Sequence, residues 1–414
     1  MLFALGNFAI MDLLQLACYF VMIYGSVLFL LVYIGNLGKF KQKKAPKKLP
    51  SVTILIPAYN EEKGICKCLK TCLNLDYPKN LLKIIVINDG SKDNTLKECR
   101  KIKNPRIRVI SKKNTGKADS LNYALRFVKT DYIATMDADS FPKKDYLRRI
   151  VGELGGDIVA VSPAMKISKS RTLMQKIQWV EYIFSIYLRK LFAVLDCQYV
   201  LPGPGSVYKT ELIRKMGGWD KDSIVEDMEL AFRMQLEGRR MENSTTAVVY
   251  TEAPETFREL FNQRIRWYRG YFKTTAKYLR MFGNPRYGNL GVYVLPINFV
   301  WLFILGYMLF LPAYLSLKSA YDTVHAIMLV GLQTPTLSFV FDIISINSLS
   351  YFMLLFMSIG ISIILISIHA SNENLNLRKR KLDYLSYMFI YPLLYSIFWM
   401  GAIVYELLKL EKKW

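Results

Sequence analysis

The sequence predicts an α/β domain on a doubly wound sheet, joined to α-helical membrane spans. Three observations carry that expectation. Between residues 51 and 136, short β-rich runs alternate with helical stretches, the pattern of largely parallel strands linked by crossover helices. Asp residues stand just past the ends of two of those runs, where open α/β sheets bind their ligands. Finally, residues 13–38, 287–317, 343–372 and 384–405 contain no Asp, Glu, Lys or Arg, and each run exceeds the ~20 residues that cross about 30 Å of hydrocarbon.

The 414-residue chain carries a net charge of +23 and is 52% hydrophobic. Positive charge alone fits nucleic acid or an anionic membrane surface; the charge-free runs decide for membrane lipid and against nucleic acid. The first run is followed by Lys39, Lys41, Lys43, Lys44, Lys47 and Lys48. A cleaved leader carries its charge ahead of the apolar stretch, so residues 1–38 read as a retained anchor and residues 39–50 as a basic linker. Because positive charge stays inside, residues 39–286 are expected in the cytoplasm of a multi-pass plasma-membrane protein. The six Cys should then be free thiols. Further spans are expected near 290–316, 347–368 and 384–405, within a C-terminal region 287–414. The apolar segment 323–341, which holds His325, Gln333 and Pro335, reads as re-entrant or interfacial.

The soluble domain is placed at 51–255. Its first strand, Val52–Pro57, ends in Ala58-Tyr59-Asn60-Glu61-Glu62, and a helix follows to about Asn74. A second buried run, 83–88, stops at Asp89; helix 92–102, strand 106–110, helix 117–129 and strand 131–136 continue the alternation. Asp137 and Asp139 follow the last of these at i and i+2, so both carboxylates can turn toward one cation. With no His or Cys nearby, such oxygen donors suit Mg²⁺ or Mn²⁺ shared with a substrate phosphate. Lys117 opens a helix, where it either meets a diphosphate, helped by the helix dipole, or is simply solvated. Residues 170–195 form a long amphipathic helix. Glu226 and Asp227 open a later one; acids are favoured there by the dipole in any case, and the functional alternative is a general base for an acceptor hydroxyl. Cys66, Cys68 and Cys72 lie on one helix, where only Cys68 and Cys72 converge, too few for a zinc site. Both His, His325 and His369, fall in the membrane half, which excludes a Ser-His-Asp apparatus in the soluble domain.

Residues 256–286 form the seam. Within them Glu259–Gly270 reads as an amphipathic helix, with Leu260, Phe261, Ile265, Trp267 and Tyr268 as its apolar part and Arg264, Arg266 and Arg269 among them. By itself such a helix lies on anionic lipid.

The order Asp89, Asp137-Ala-Asp139, Glu226-Asp227 and Gln263-Arg-Ile-Arg266-Trp267 resembles that of the processive, membrane-embedded family 2 glycosyltransferases, the cellulose, chitin, hyaluronan and poly-N-acetylglucosamine synthases. Over about residues 50–280 the resemblance implies a GT-A-type nucleotide-sugar domain with a mixed sheet. It implies that Tyr59, Glu61 and Asp89 hold uridine, that Lys117 and Asp137 meet the diphosphate, and that Asp139 ligates Mg²⁺ or Mn²⁺. Asp227, beside Glu226, would be the base; Gln263, Arg266 and Trp267 would bind the diphosphate and the acceptor sugar. The Gly-Lys-Ala-Asp-x-Leu-Asn stretch and the Gly-Gly-Trp before Glu226 look nearest the poly-N-acetylglucosamine type. The first motif reads Asn88-Asp89 in place of a double Asp. The expected activity is inverting transfer of a hexose or N-acetylhexosamine from a UDP-sugar to a growing polysaccharide, with the product moved between the C-terminal spans. Glycosylation of a membrane lipid by the same donor site is the second reading, and an inactive scaffold the third.

Overall fold

The structure, a computed structural model, describes residues 2–331 and 348–410. In chain order the helices are α1 (Leu2–Gly35), α2 (Ile65–Leu73), α3 (Thr95–Lys101), α4 (Lys117–Leu125), α5 (Tyr146–Glu153), α6 (Leu173–Val194), α7 (Thr210–Lys215), α8 (Glu226–Leu236), α9 (Phe257–Lys277), α10 (Leu295–Val330), α11 (Ser348–Ala370), α12 (Leu377–Phe389) and α13 (Tyr391–Leu407). The strands are β1 (Val52–Ala58), β2 (Leu82–Asp89), β3 (Ile107–Lys112), β4 (Tyr132–Thr135), β5 (Ser140–Pro142), β6 (Ile158–Ile167), β7 (Val207–Lys209) and β8 (Arg240–Thr251). The chain divides into two compact units, Met1–Gly35 with Ile297–Ile366, and Asn36–Pro296 with Ser367–Trp414.

In the larger unit the eight strands form one sheet in the order β3-β2-β1-β4-β7-β6-β8-β5. The first four are mutually parallel, as the alternation predicts. Beyond β4 the short β7 runs antiparallel to both β4 and β6, and β5 is antiparallel to β8, so the sheet as a whole is mixed. The β1 and β2 runs are buried on both faces, which explains their unbroken apolar character. One core layer joins Ile54, Ile56, Ile84 and Val86 to Cys68, Leu69 and Cys72 of α2; the opposite layer joins Leu55, Ile85 and Ile87 to Leu121 and Ala124 of α4. All six Cys are unpaired, and Cys68 and Cys72 are packed in this core.

Helix α9 begins under a capping box in which Thr256 and Glu259 satisfy each other's backbone amides, so it starts at Phe257. Its apolar side corrects the expectation of a face resting on lipid. Leu260 and Ile265 are fully buried. Leu260 packs with Leu394 and Phe398 of α13, and a side chain at Gly401 would collide with Ile265 and Phe261. Tyr268 lies flat on Trp399, ring centroids 4.1 Å apart. The stretch expected to span over 384–405 falls on a pair of helices, α12 and α13, bent by 44°. Pro392 stands at the start of α13, where its missing N–H and its ring break a continuous helix.

In the smaller unit, Cys18 and Met22 of α1 pack with Ile304 of α10, flanked by Trp301 and Tyr307. Leu13–Gly35 and Leu290–Leu329 are long and apolar enough to cross a bilayer. The second continues past the point where a separate segment was expected at 323; residues 332–341 of that segment lie outside the described residues.

Candidate active site

Strand order reverses between β1 and β4, and the crevice beyond their carboxyl ends is where open α/β sheets take ligands. Four sequence-selected residues meet there. Lys117, first in α4, reaches Asp137 at 2.7 Å and Glu226 at 3.2 Å. Burial works against its charge, yet Asp137 and Glu226 more than compensate and hold the amine protonated far above its usual range. A side chain on Gly203 would strike the Lys117 amine, so glycine there lets the lysine pass beneath the 201–206 loop. That loop is pinned from β4 and α5, because the Thr135 hydroxyl donates to the Gly203 carbonyl at 2.6 Å and Tyr146 to that of Gly205 at 2.6 Å.

Asp227 is fixed from both sides. Its Oδ2 accepts from the Gly203 amide at 3.0 Å and its Oδ1 from Met228 at 2.7 Å. Burial and neighbouring Glu226 push its carboxyl up to about 6, with Lys117 and the two amides pulling the other way. The segment leading into its helix is held in turn by α4, since Asn122 donates to the Trp219 carbonyl at 2.7 Å and accepts from the Trp219 amide at 2.8 Å.

At the other end of the crevice, Asp139 follows Asp137 on the turn into β5, with Ser140 donating to it at 2.9 Å. The back of the turn lies on α2, because a Cβ at Gly64 would meet the Ala138 carbonyl at 2.9 Å. Burial and Asp137 push Asp139 up to about 6. Burial, followed by Asp139 and Asp137, raises half-buried Glu61 to about 7. These are hard oxygen donors with excess negative charge, a composition that fits a divalent cation. Among the described residues no three His, Cys, Asp or Glu side chains are gathered to hold a metal alone, so such an ion would complete its shell with phosphate oxygens and water.

Two selected residues are engaged differently. Asp89, almost fully buried, accepts from the Lys112 amine at 2.6 Å and from the amides of Thr115 and Gly116 at 3.1 and 2.8 Å. It thereby anchors the loop that carries Lys117, and Gly116 accommodates that loop with φ +96°. Tyr59 is exposed.

The seam helix contributes a residue the motif does not single out. Arg264, between Gln263 and Arg266, has no solvent exposure. It bonds Glu181 of α6 at 2.6 Å, donates to Gln263 at 3.1 Å and stacks over Trp267 at 4.1 Å. It therefore orients two of the three selected residues. A signal exists in the sequence: Arg264 falls one helical turn beyond Leu260 on the buried stripe, and α6 contains a single acid, Glu181. Arg266 is half-buried and, among the described residues, in no ion pair.

Residues 53–217 match the family described as glycosyl transferase family 2. The chain is a glycosyltransferase with a family 2 domain. It is similar to the poly-β-1,6-N-acetyl-D-glucosamine synthase of Staphylococcus aureus, 29% identical over 295 residues that cover 68% of this chain and 70% of the synthase. A probable glycosyltransferase of Bacillus subtilis is 32% identical over 261 residues, 60% of this chain and 61% of that protein. In three dimensions the transferase resembles a mannosyltransferase from Pyrobaculum calidifontis solved with GDP-mannose and Mn²⁺, at a TM-score of 0.58 and 19% identity, over 96% of this chain and all of the other. That likeness establishes the GT-A-type fold.

Proposed function

We propose that this glycosyltransferase moves a hexose or N-acetylhexosamine, with N-acetylglucosamine first among them, from a UDP-sugar to a growing polysaccharide at the membrane. Inversion at the anomeric carbon and repeated addition to one chain are part of the proposal. The observation that carries it is the meeting of Lys117, Asp137, Glu226 and Asp227 beyond the strand ends, with the Gln263-x-x-Arg266-Trp267 helix seated against the Glu226 turn. Similarity to the poly-N-acetylglucosamine synthase supports the sugar and the polymer, and the apolar helices support the membrane.

In this reading the acceptor hydroxyl lies against Asp227, which takes its proton as the oxygen attacks the anomeric carbon. The bond from that carbon to the diphosphate breaks in the same displacement, and the charge left on the diphosphate is received by Lys117 and Arg266. A base held near 6 is ionised at neutral pH yet more basic than an ordinary carboxylate, which suits proton abstraction. Asp137 and Asp139 would hold Mg²⁺ or Mn²⁺. Such an ion, when bound, neutralises the diphosphate and makes it a better leaving group. Tyr59 and Glu61 flank the nucleoside, Asp89 shapes the loop beside it, and Gln263 and Trp267 meet the acceptor sugar.

Purified protein given UDP-N-acetylglucosamine, UDP-glucose or UDP-glucuronate with Mg²⁺ should release UDP and build a ladder of products. A single sugar on lipid would replace the polymer reading, and no UDP from any donor would end the transferase reading. Asp227→Asn should abolish turnover while UDP binding persists; retained turnover refutes the assigned base.

A further inference from the structure

The proposed transfer gives Arg189 of α6 no role. Its Nε and Nη2 are withdrawn from solvent and have no hydrogen-bond acceptor among the described residues, and it forms no ion pair among them. Arg189 as a whole is half-buried, but two of its three guanidinium nitrogens are out of water without a counter-charge, which costs stability that an apolar side chain would not. Burial pulls its pKa down to about 10, as that imbalance requires.

Its direction is set by helix geometry. Gln178, Tyr182, Ser185 and Arg189 recur at four, three and four residues and form one stripe. On one side of the stripe Glu181 holds Arg264 of α9. On the other, Ile186 packs on Ala164 and Val248, and Lys190 pairs with Glu242 at 2.9 Å, all on β6 and β8. The stripe therefore looks into the gap between the sheet and α9. Gln178 closes the near end by donating to the Pro254 carbonyl at 2.9 Å, and the charges of Arg264, Glu181, Arg189 and Asp139 all bear on the phenol of Tyr182. Arg189 thus faces the gap bordered by α9, the helix that carries Gln263, Arg266 and Trp267.

We infer that Arg189 is a substrate-binding residue whose Nε–Nη2 edge takes a pair of oxygens from a substrate in this gap. The edge presents two parallel donors spaced for two oxygens of one phosphate or for neighbouring hydroxyls of a sugar. Donor diphosphate and acceptor sugar supply the same chemistry, and kinetics separate them. The inference rests on the transferase reading, so wild type is assayed in parallel: an inactive wild type fails that reading, whereas the comparison of an active wild type with the variants bears on Arg189.

In the full chain in detergent, Arg189→Met should lower kcat/KM roughly 10- to 100-fold, the loss expected for hydrogen bonds from a charged donor. Its Tm should stay level or rise, because two buried donors without acceptors are removed. Arg189→Lys, with the charge but not the fork, should recover part of the rate. A rise confined to the KM for UDP-sugar, with weaker inhibition by UDP, assigns the oxygens to the donor; a rise confined to the KM for an added oligosaccharide assigns them to the acceptor. An active wild type with Arg189→Met within threefold of it, or a rate loss that only follows a fall in Tm, overturns the inference. If Arg189→Met does not fold, Arg189→Gln is read by the same criteria.

Discussion

Gly270 offers a test in which helix propensity and the proposed packing predict opposite signs. It lies on α9, and a Cβ there would stand 2.7 Å from Val225 Cγ1 and 3.0 Å from Val225 Cβ, closer still to Cγ2. Val225 is the residue immediately before Glu226 and Asp227 and caps α8. In a free helix, Gly→Ala is favourable by about 0.8–1 kcal/mol. Carbon atoms need about 3.5–4 Å, so Gly270→Ala must drive α9 and the turn apart by about 1 Å. Overpacking of that kind costs roughly 1–3 kcal/mol, which leaves a net loss of about 0–2 kcal/mol. The larger effect should be on rate. A displacement of about 1 Å at a reacting group costs on the order of 100-fold, and the displaced element here carries the proposed base. The assay is UDP release in the full chain, with thermal unfolding alongside. Val225→Ala on the Gly270→Ala background should restore most of the rate, with a coupling of about 1–2 kcal/mol in the double-mutant cycle. A Gly270→Ala protein as active as wild type and about 1 kcal/mol more stable would refute the argument. A slow variant that Val225→Ala does not rescue would remove the clash as the cause.

Three further outcomes are expected. Because burial and Glu226 lift Asp227 to about 6, the transfer rate should fall as pH drops through about 6 and stay level above it; a limb near the ordinary carboxylate value of ~4 would exclude Asp227 as the base. Arg264→Met should destabilise by roughly 3–5 kcal/mol by stranding Glu181, while Arg264→Met with Glu181→Met recovers most of that in thermal unfolding; equal losses in both would show that the pair is not coupled. EDTA should stop UDP release, and Mg²⁺ or Mn²⁺ should restore it in wild type, with a higher ion concentration needed in Asp139→Asn; activity untouched by EDTA would rule the cation out.

The parallel half of the sheet and its rim were legible because local chemistry dictates them. Apolar runs such as Val52–Ile56 and Ile84–Ile87 are buried on both faces and admit little but interior strands, and Asp89 and Asp137 follow directly where such strands end. The antiparallel half was less so. β7 and β5 are three residues each, too short for periodicity, and they exist because β4 and β8 offer open edges. Arg264 was hidden for a related reason: a charge on a helix reads as solvent-facing until Glu181, far along the chain, is known to wait on the facing helix. The bend at Pro392 and the seating of α13 on α9 required knowing that Gly401 faces Ile265 and Phe261. Composition records only that the stretch is apolar.

These contacts change what the seam helix does. An amphipathic helix held only by lipid has one defined orientation, its depth in the bilayer, and its polar groups remain free to turn. α9 is instead clamped at three points. Gly270 meets Val225 beneath the Glu226–Asp227 turn, Arg264 bonds Glu181 of α6, and Tyr268 lies on Trp399 of α13. Arg269 adds a fourth, 3.0 Å from Glu406 near the end of α13. Any shift of α13 must therefore be felt by α9, and through Gly270 by the residue next to the proposed base. The close packing that makes a methyl at Gly270 intolerable is what ties the C-terminal helix to the chemistry. A lipid-bound helix could not provide that link, because lipid would yield to the shift.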